Sequence, residues 1–213
     1  VQPLLAWWKG ARVVLEREFD AARALELLSR KRVTTLMGVP ATYLFLSQEP
    51  GFAEADLSSL RLAVVGGAPM PESLLETWID RGVEIVQGYG LTEAAPNVLC
   101  LPPEDARRLL GFAGQAYPHV DVALRDAEPG RLVAGAGTGE LVVRGPNVFA
   151  GYWRNPEATA AAFADGWLLT GDVAERDEEG FYRIAGRIKD MVVSGGENVY
   201  PAEIEDVLAG HDA

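Results

Sequence analysis

Three short segments hold residues suited to a phosphorylated, ring-bearing ligand. The first is Gln87-Gly88-Tyr89-Gly90-Leu91-Thr92-Glu93, at the end of an apolar strand-like run, Val83 to Val86. Ligands of open α/β sheets bind at such strand ends. Gly88 and Gly90 let a backbone approach closely, and Tyr89 between them offers an aromatic face. Thr92 supplies a hydroxyl, and Glu93 a hard oxygen suited to Mg²⁺ on a phosphate. The alternative is a plain strand-to-loop turn around a buried tyrosine. The second segment is Trp167-Leu168-Leu169-Thr170-Gly171-Asp172. A carboxylate just past a strand can accept hydrogen bonds from ribose hydroxyls; taken alone, a turn aspartate is the simpler reading. The third is Gly186-Arg187-Ile188-Lys189-Asp190, followed by Ser194-Gly195-Gly196-Glu197-Asn198-Val199-Tyr200-Pro201. Two cations and adjacent glycines at a boundary suit a pivot with a phosphate or ribose contact. A solvated basic turn before a hairpin fits equally well.

Other chemistries find little support. Gly135-Ala136-Gly137-Thr138-Gly139 precedes a strand, not a helix, so it reads as a turn and not as a dinucleotide loop. No G-x-x-x-x-G-K-[ST] loop and no G-x-S-x-G elbow occurs. Only two histidines, His119 and His211, and one cysteine, Cys100, are present. That argues against histidine-rich metal sites, catalytic triads and disulfides, and suits a reducing cytoplasm. With 31 acidic and 19 basic residues the net charge is −12, which repels a nucleic-acid backbone. An anionic ligand must then be held by local N–H groups, a placed arginine or a metal. No run reaches the roughly 20 apolar residues of a membrane span.

The elements that must position these segments change in texture along the chain. Up to about Gly111, β-branched runs alternate with helix-period stretches. Ala11–Leu15, Val33–Met37, Leu62–Val65 and Val83–Val86 read as strands. Asp20 is placed to cap a helix bearing Ala21, Leu25 and Leu28 on one face. A second helix starting at Pro71 buries Leu74, Leu75, Trp78 and Ile79. This predicts a largely parallel α/β layer. From about residue 112 to 186, short alternating runs (Val120–Leu124, Glu140–Val143, Leu168–Val173, Phe181–Ile184) separated by Gly, Pro and Asp predict a small antiparallel β unit. Residues 187–190 form the boundary. Beyond it, strand Met191–Val193 and a helix from Pro201, with Ile204, Val207 and Leu208 inward, read as the start of a small α+β domain too short to fold alone. Val1 to Trp8 reads as an interior helix of a longer chain and not as a signal peptide.

Together these segments resemble the adenylate-forming superfamily of acyl-CoA synthetases, luciferases and peptide-synthetase adenylation domains. Gly66-Gly67-Ala68-Pro69, Gln87 to Glu93, Glu140-Leu141 through Gly151-Tyr152-Trp153, Thr170-Gly171-Asp172 and Gly186-Arg187 occur in the family's order. Lys189-Asp190-Met191 and the Ser194 to Glu205 stretch look like the fatty-acid and related acyl-CoA ligases. The resemblance implies a carboxylate attacking Mg·ATP to give acyl-adenylate and pyrophosphate, with CoA thiol then displacing AMP. It implies that residues 1–186 are the late part of an AMP-binding domain and that 191–213 begin a small second domain. It also implies roles. Gly67, Ala68 and Pro69 would line one side of adenine, with Tyr89 against its ring and Gln87 and Gly88 at the border of the acyl-adenylate. Thr92 would contact phosphate and Glu93 hold Mg²⁺, while Asp172 would bind the ribose hydroxyls and Arg187 would reach ribose and phosphate. Lys189 would be the hinge, and Gly195 and Gly196 the loop beside the pantetheine tunnel. Met37 to Tyr43 would sit at the acyl pocket. The family's phosphate loop would lie upstream of Val1 and its adenylation lysine downstream of Ala213. A carrier protein as acceptor, and a nucleotide-binding fragment without catalysis, are the competing implications.

Overall fold

The computed structural model describes residues 2–126, 130–195 and 197–209. The first half builds an α/β layer. After α1 (Gln2–Trp8) and α2 (Ala21–Arg30) come β1 (Thr35–Gly38), α3 (Pro40–Ser47), β2 (Leu62–Val65), α4 (Glu72–Asp80) and β3 (Ile85–Gly90). Strands β1, β2 and β3 are parallel neighbours; β4 (Asn97–Cys100) extends the same sheet antiparallel to β3, and β5 (Gln115–Ala116) pairs antiparallel with β4. Asp20 caps α2, accepting from Arg23 N at 2.7 Å. Pro71 precedes α4 as its cap residue, one position outside the expected start.

The core of this layer is aromatic. Trp78 is fully buried between Tyr43, whose ring centroid lies 5.1 Å away edge-on, and Phe52 at 4.9 Å. The polar atoms of these rings are also matched: Trp78 Nε1 donates to Tyr43 O, and Tyr43 Oη to Val64 O. Leu74, Leu75 and Ile79 are buried with them, as the helical period requires. Tyr43 therefore packs in the core, whereas Met37 and Val39 of the same segment are exposed.

The second half is an antiparallel sheet in the order β10 (Tyr182–Arg187), β9 (Trp167–Arg176), β7 (Gly137–Arg144), β6 (Asp121–Arg125). The short β8 (Phe163–Ala164) pairs with β9, and α5 (Pro156–Ala161) precedes it. The two sheets are stitched together: Tyr182 N donates to Gly114 O, and Ala113 N to Tyr182 O. Arg183 of β10 pairs with Glu72 at the start of α4, at 2.6 Å. A third piece follows a one-turn 3-10 helix at Ile188–Asp190: the hairpin β11 (Val192–Ser194) and β12 (Glu197–Val199), then α6 (Pro201–Ala209). Tyr200 buries its ring against Val173 and Ala185 of the second sheet.

Several expectations are corrected. Ala11–Leu15 forms no strand; no neighbouring strand pairs with it, and strand propensity without a partner sheet does not hold a strand. The run ending at Val86 continues through Gln87 to Gly90, so this part of the motif is strand and not loop. Asp172 lies inside β9, not past it. Gly137 to Gly139 open β7, while Gly135 and Ala136 precede it. On α6, Ile204, Val207 and Leu208 face outward, each more than half exposed, because no element among the described residues packs over them.

Candidate functional site

The two sheets bring the separated motifs to one place. Parallel register sets Val65 beside Gln87, so the chain leaves β2 as Gly66-Gly67-Ala68-Pro69 next to Gly88 and Tyr89. Gly66 N also donates to Gly38 O, closing the ends of β1, β2 and β3 together. Gly67, Ala68 and Pro69 are exposed there. Ala68, Pro69 and Met70 form one wall of a cavity of about 300 Å³, whose other wall includes Arg183, Ile184 and Ala185 of β10. Ile184 thus joins the site although its apolar type, inside an alternating strand, gives no signal in the sequence. Gln87 is buried and its amide donates to Phe112 O at 3.1 Å, so its side chain serves the fold and only its backbone borders the site.

Tyr89 reaches across to the second sheet. Its Oη donates to Asp172 Oδ2 at 2.5 Å, and Arg187 Nε donates to Asp172 Oδ1 at 2.9 Å. Asp172 is buried while Arg187 is exposed, so the arginine covers the carboxylate from the solvent side. Burial, then the charge of Asp172, pushes the Tyr89 hydroxyl far above the ordinary tyrosine value. Its bond to Asp172 likewise raises the Arg187 guanidinium. Tyr89 lines neither this cavity nor the second one, of about 340 Å³, bounded by Thr170, Gly171, Arg187, Ile188 and Lys189. Lys189 itself is exposed in the 3-10 turn between β10 and β11. Gly195 is exposed at the tip of the hairpin, and Gly196 lies outside the described residues.

Thr92 opens a one-turn 3-10 helix, Thr92–Ala94, directly after β3. The loop after β7 clamps this turn. Phe149 N donates to Glu93 O at 2.7 Å, Asn147 Nδ2 to Ala94 O at 2.9 Å, and Tyr152 Oη to Glu93 Oε1 at 2.8 Å. Tyr152 stands in a landmark motif of the sequence, yet only the fold reveals its partner. That bond, more than partial burial, raises the Tyr152 hydroxyl. No group of three or more potential ligands gathers anywhere among the described residues. A partly exposed carboxylate steadied on one oxygen fits Mg²⁺, which takes one or two carboxylates and completes its shell with water and substrate phosphate.

Ends of parallel strands thus face a cluster in which Tyr89 and Arg187 close on the buried Asp172. The chain belongs to the AMP-binding enzyme family, whose model matches residues 1–153. It is 46% identical over 203 residues to feruloyl-CoA synthase of Amycolatopsis sp, spanning 95% of this chain and 41% of that protein. It is 43% identical over 202 residues to the long-chain-fatty-acid–CoA ligase FadD13 of Mycobacterium tuberculosis, again 95% of this chain and 40% of the relative. ATP-bound MatB from Rhodopseudomonas palustris superposes with a TM-score of 0.90 at 35% identity, covering 99% of this chain and 42% of that structure. The chain thus spans about two-fifths of the length of these relatives.

Proposed function

We propose that this segment works within a protein of its relatives' length, as most of the adenosine site of an AMP-forming acid–CoA ligase. The observation that carries the reading is the meeting of Tyr89, Asp172 and Arg187 beside the Gly66–Pro69 turn. Adenine enters the cavity walled by Ala68, Pro69 and Ile184, while Tyr89, outside that wall, ties the first sheet to Asp172. The ribose hydroxyls donate to Asp172, which has lone pairs beyond those taken by Tyr89 and Arg187. Arg187 offers its remaining N–H groups to ribose or phosphate, and Thr92 its hydroxyl to phosphate. Glu93 would hold Mg²⁺, which when bound neutralises charge on the phosphates during transfer. The substrate carboxylate attacks the α-phosphorus, the bond to pyrophosphate breaks, and CoA thiol then displaces AMP from the acyl-adenylate.

Residues 187–190 serve as the pivot, with Lys189 as hinge, and 191 onward as part of the small domain that swings between the two half-reactions. The relatives named feruloyl-CoA synthase, long-chain-fatty-acid–CoA ligase and indoleacetate–CoA ligase stand at 46%, 43% and 43% identity, so both aromatic and aliphatic acids belong in the substrate panel. The 213-residue chain alone is expected to bind AMP weakly and to make no thioester.

Pyrophosphate exchange by the full-length protein tests this reading. Glu93→Gln removes one charge-assisted contact of roughly 2–4 kcal/mol in the transition state, so exchange should fall by about two to three decades. Exchange that is unchanged at limiting Mg²⁺ would leave Glu93 a purely structural residue.

A further inference from the structure

We propose that Glu140 is a positioning residue that sets the aim of Asp172; the inference rests on the reading above in which Asp172 receives the ribose. The register of β7 against β9 shows why. Glu140 stands opposite Val173 and Val142 opposite Leu169, so Thr170, Gly171 and Asp172 together face the single residue Leu141. Two extra residues are therefore looped into β9. An even insertion leaves the inward alternation unchanged on both sides, and Leu168 and Ala174 both point into the same core. Between them the loop carries Asp172 to Arg187, its partner across β10, and to Tyr89 of the other sheet.

Such a bulge breaks the ladder, and its backbone groups need other partners. Side chains supply them. Thr170 Oγ1 donates to Leu141 O at 2.6 Å and accepts from Asp172 N at 3.1 Å. Gly171 N, at the crest and with φ of +72°, donates to Glu140 Oε1 at 3.1 Å. The Glu140 side chain is only 12% exposed, and its other oxygen lies 3.8 Å from Arg125 of β6, its cross-strand partner. A mostly buried carboxylate is costly to hold, and a neutral side chain could fill a plain strand position. Placed against the crest amide, this carboxylate fixes the height of the bulge, and thereby where Asp172 sits.

Two substitutions separate the hydrogen bond from the ion pair. Glu140→Met keeps the stem but removes the acceptor; Glu140→Gln keeps an acceptor for Gly171 N and loses the charge facing Arg125. Hydrogen exchange of the Gly171 amide, followed by NMR, should accelerate about tenfold or more in Glu140→Met and stay near wild type in Glu140→Gln. In the full-length protein the affinity ratio of AMP to 2′-deoxy-AMP reads the aim of Asp172. It should fall about tenfold in Glu140→Met, and Glu140→Gln should retain it. Asp172→Ala serves as the control. If that variant keeps the wild-type ratio, the ribose reading fails, while the exchange result still decides whether Glu140 holds the crest. Unchanged Gly171 exchange in Glu140→Met would overturn the inference. So would a ratio lost in Asp172→Ala but intact in Glu140→Met. Loss of the fold or of the ratio in Glu140→Gln as well would assign Glu140 to its ion pair with Arg125, and would overturn it too.

Discussion

The two sheets deliver their polar residues in different ways. The parallel sheet places them where its strands end: Gly38, Gly66 and Gln87 to Gly90 lie at the tips of β1, β2 and β3, over a core closed by Trp78 and Tyr43. The antiparallel sheet delivers Asp172 from mid-strand, by looping two residues out of β9. Glycine serves both sheets, for opposite reasons. At Gly90 a Cβ would overlap the carbonyl of Pro96, so the demand there is for space. At Gly171 a Cβ would meet nothing within 4 Å, and the demand is for a left-handed backbone with φ of +72°. Gly90 tolerates no added atom, whereas Gly171 has room for the atom but holds a left-handed backbone that disfavours it.

The largest effect is expected at the strand tip. Gly90→Ala must push the Pro96 segment away and break the turn that carries Thr92 and Glu93. A loss of at least about 3 kcal/mol in urea unfolding, or failure to fold, is the expected outcome. Gly171→Ala should cost less, about 1–2 kcal/mol, the strain of a left-handed alanine. If the two alanine variants proved equally destabilised, the contrast between space and chirality would fail.

Tyr89→Phe comes next, because it cuts the side-chain bond from β3 to Asp172 while keeping the ring. About 1 kcal/mol of stability should go, since Arg187 still holds the carboxylate. The smallest effect appears in alkali. Tyr43 in the first core and Tyr89 in the site are both raised, Tyr43 by burial and Tyr89 by burial with the Asp172 charge. A hydroxyl raised in the fold contributes fully below the ordinary tyrosine value of about 10 and loses that contribution as pH climbs beyond it. Stability should therefore decline above pH of about 10, and Tyr89→Phe should flatten part of that decline. A Tyr89→Phe curve parallel to wild type would place the whole alkaline loss elsewhere, Tyr43 included.

The same contrast explains what is legible in the sequence. Leu62–Val65 can be read to the residue, and the buried face of α4 in full, because parallel strands and their helices advertise themselves by period. The Gln87 to Glu93 segment stands out by its glycines and its place beyond an apolar run, although the strand continues into it as far as Gly90. Asp172 stands out by residue type, but its position inside β9 does not, since a bulge leaves no mark on alternation when it inserts an even number of residues. The partners Glu140, Tyr152 and Ile184 are invisible for a related reason: each is defined by a contact with a residue distant in the chain. The outward apolar face of α6 shows the converse, a helical period that announces burial where no described element covers it.

In the proposed function the strand tips and the bulge enclose one adenosine. A crystal structure of the full-length protein with AMP tests this most directly. Adenine should lie between Ala68–Pro69 and Ile184, with both ribose hydroxyls within hydrogen-bond distance of the Asp172 carboxylate. AMP bound elsewhere, with Asp172 still closed on Tyr89 and Arg187 and no ribose near it, would contradict it.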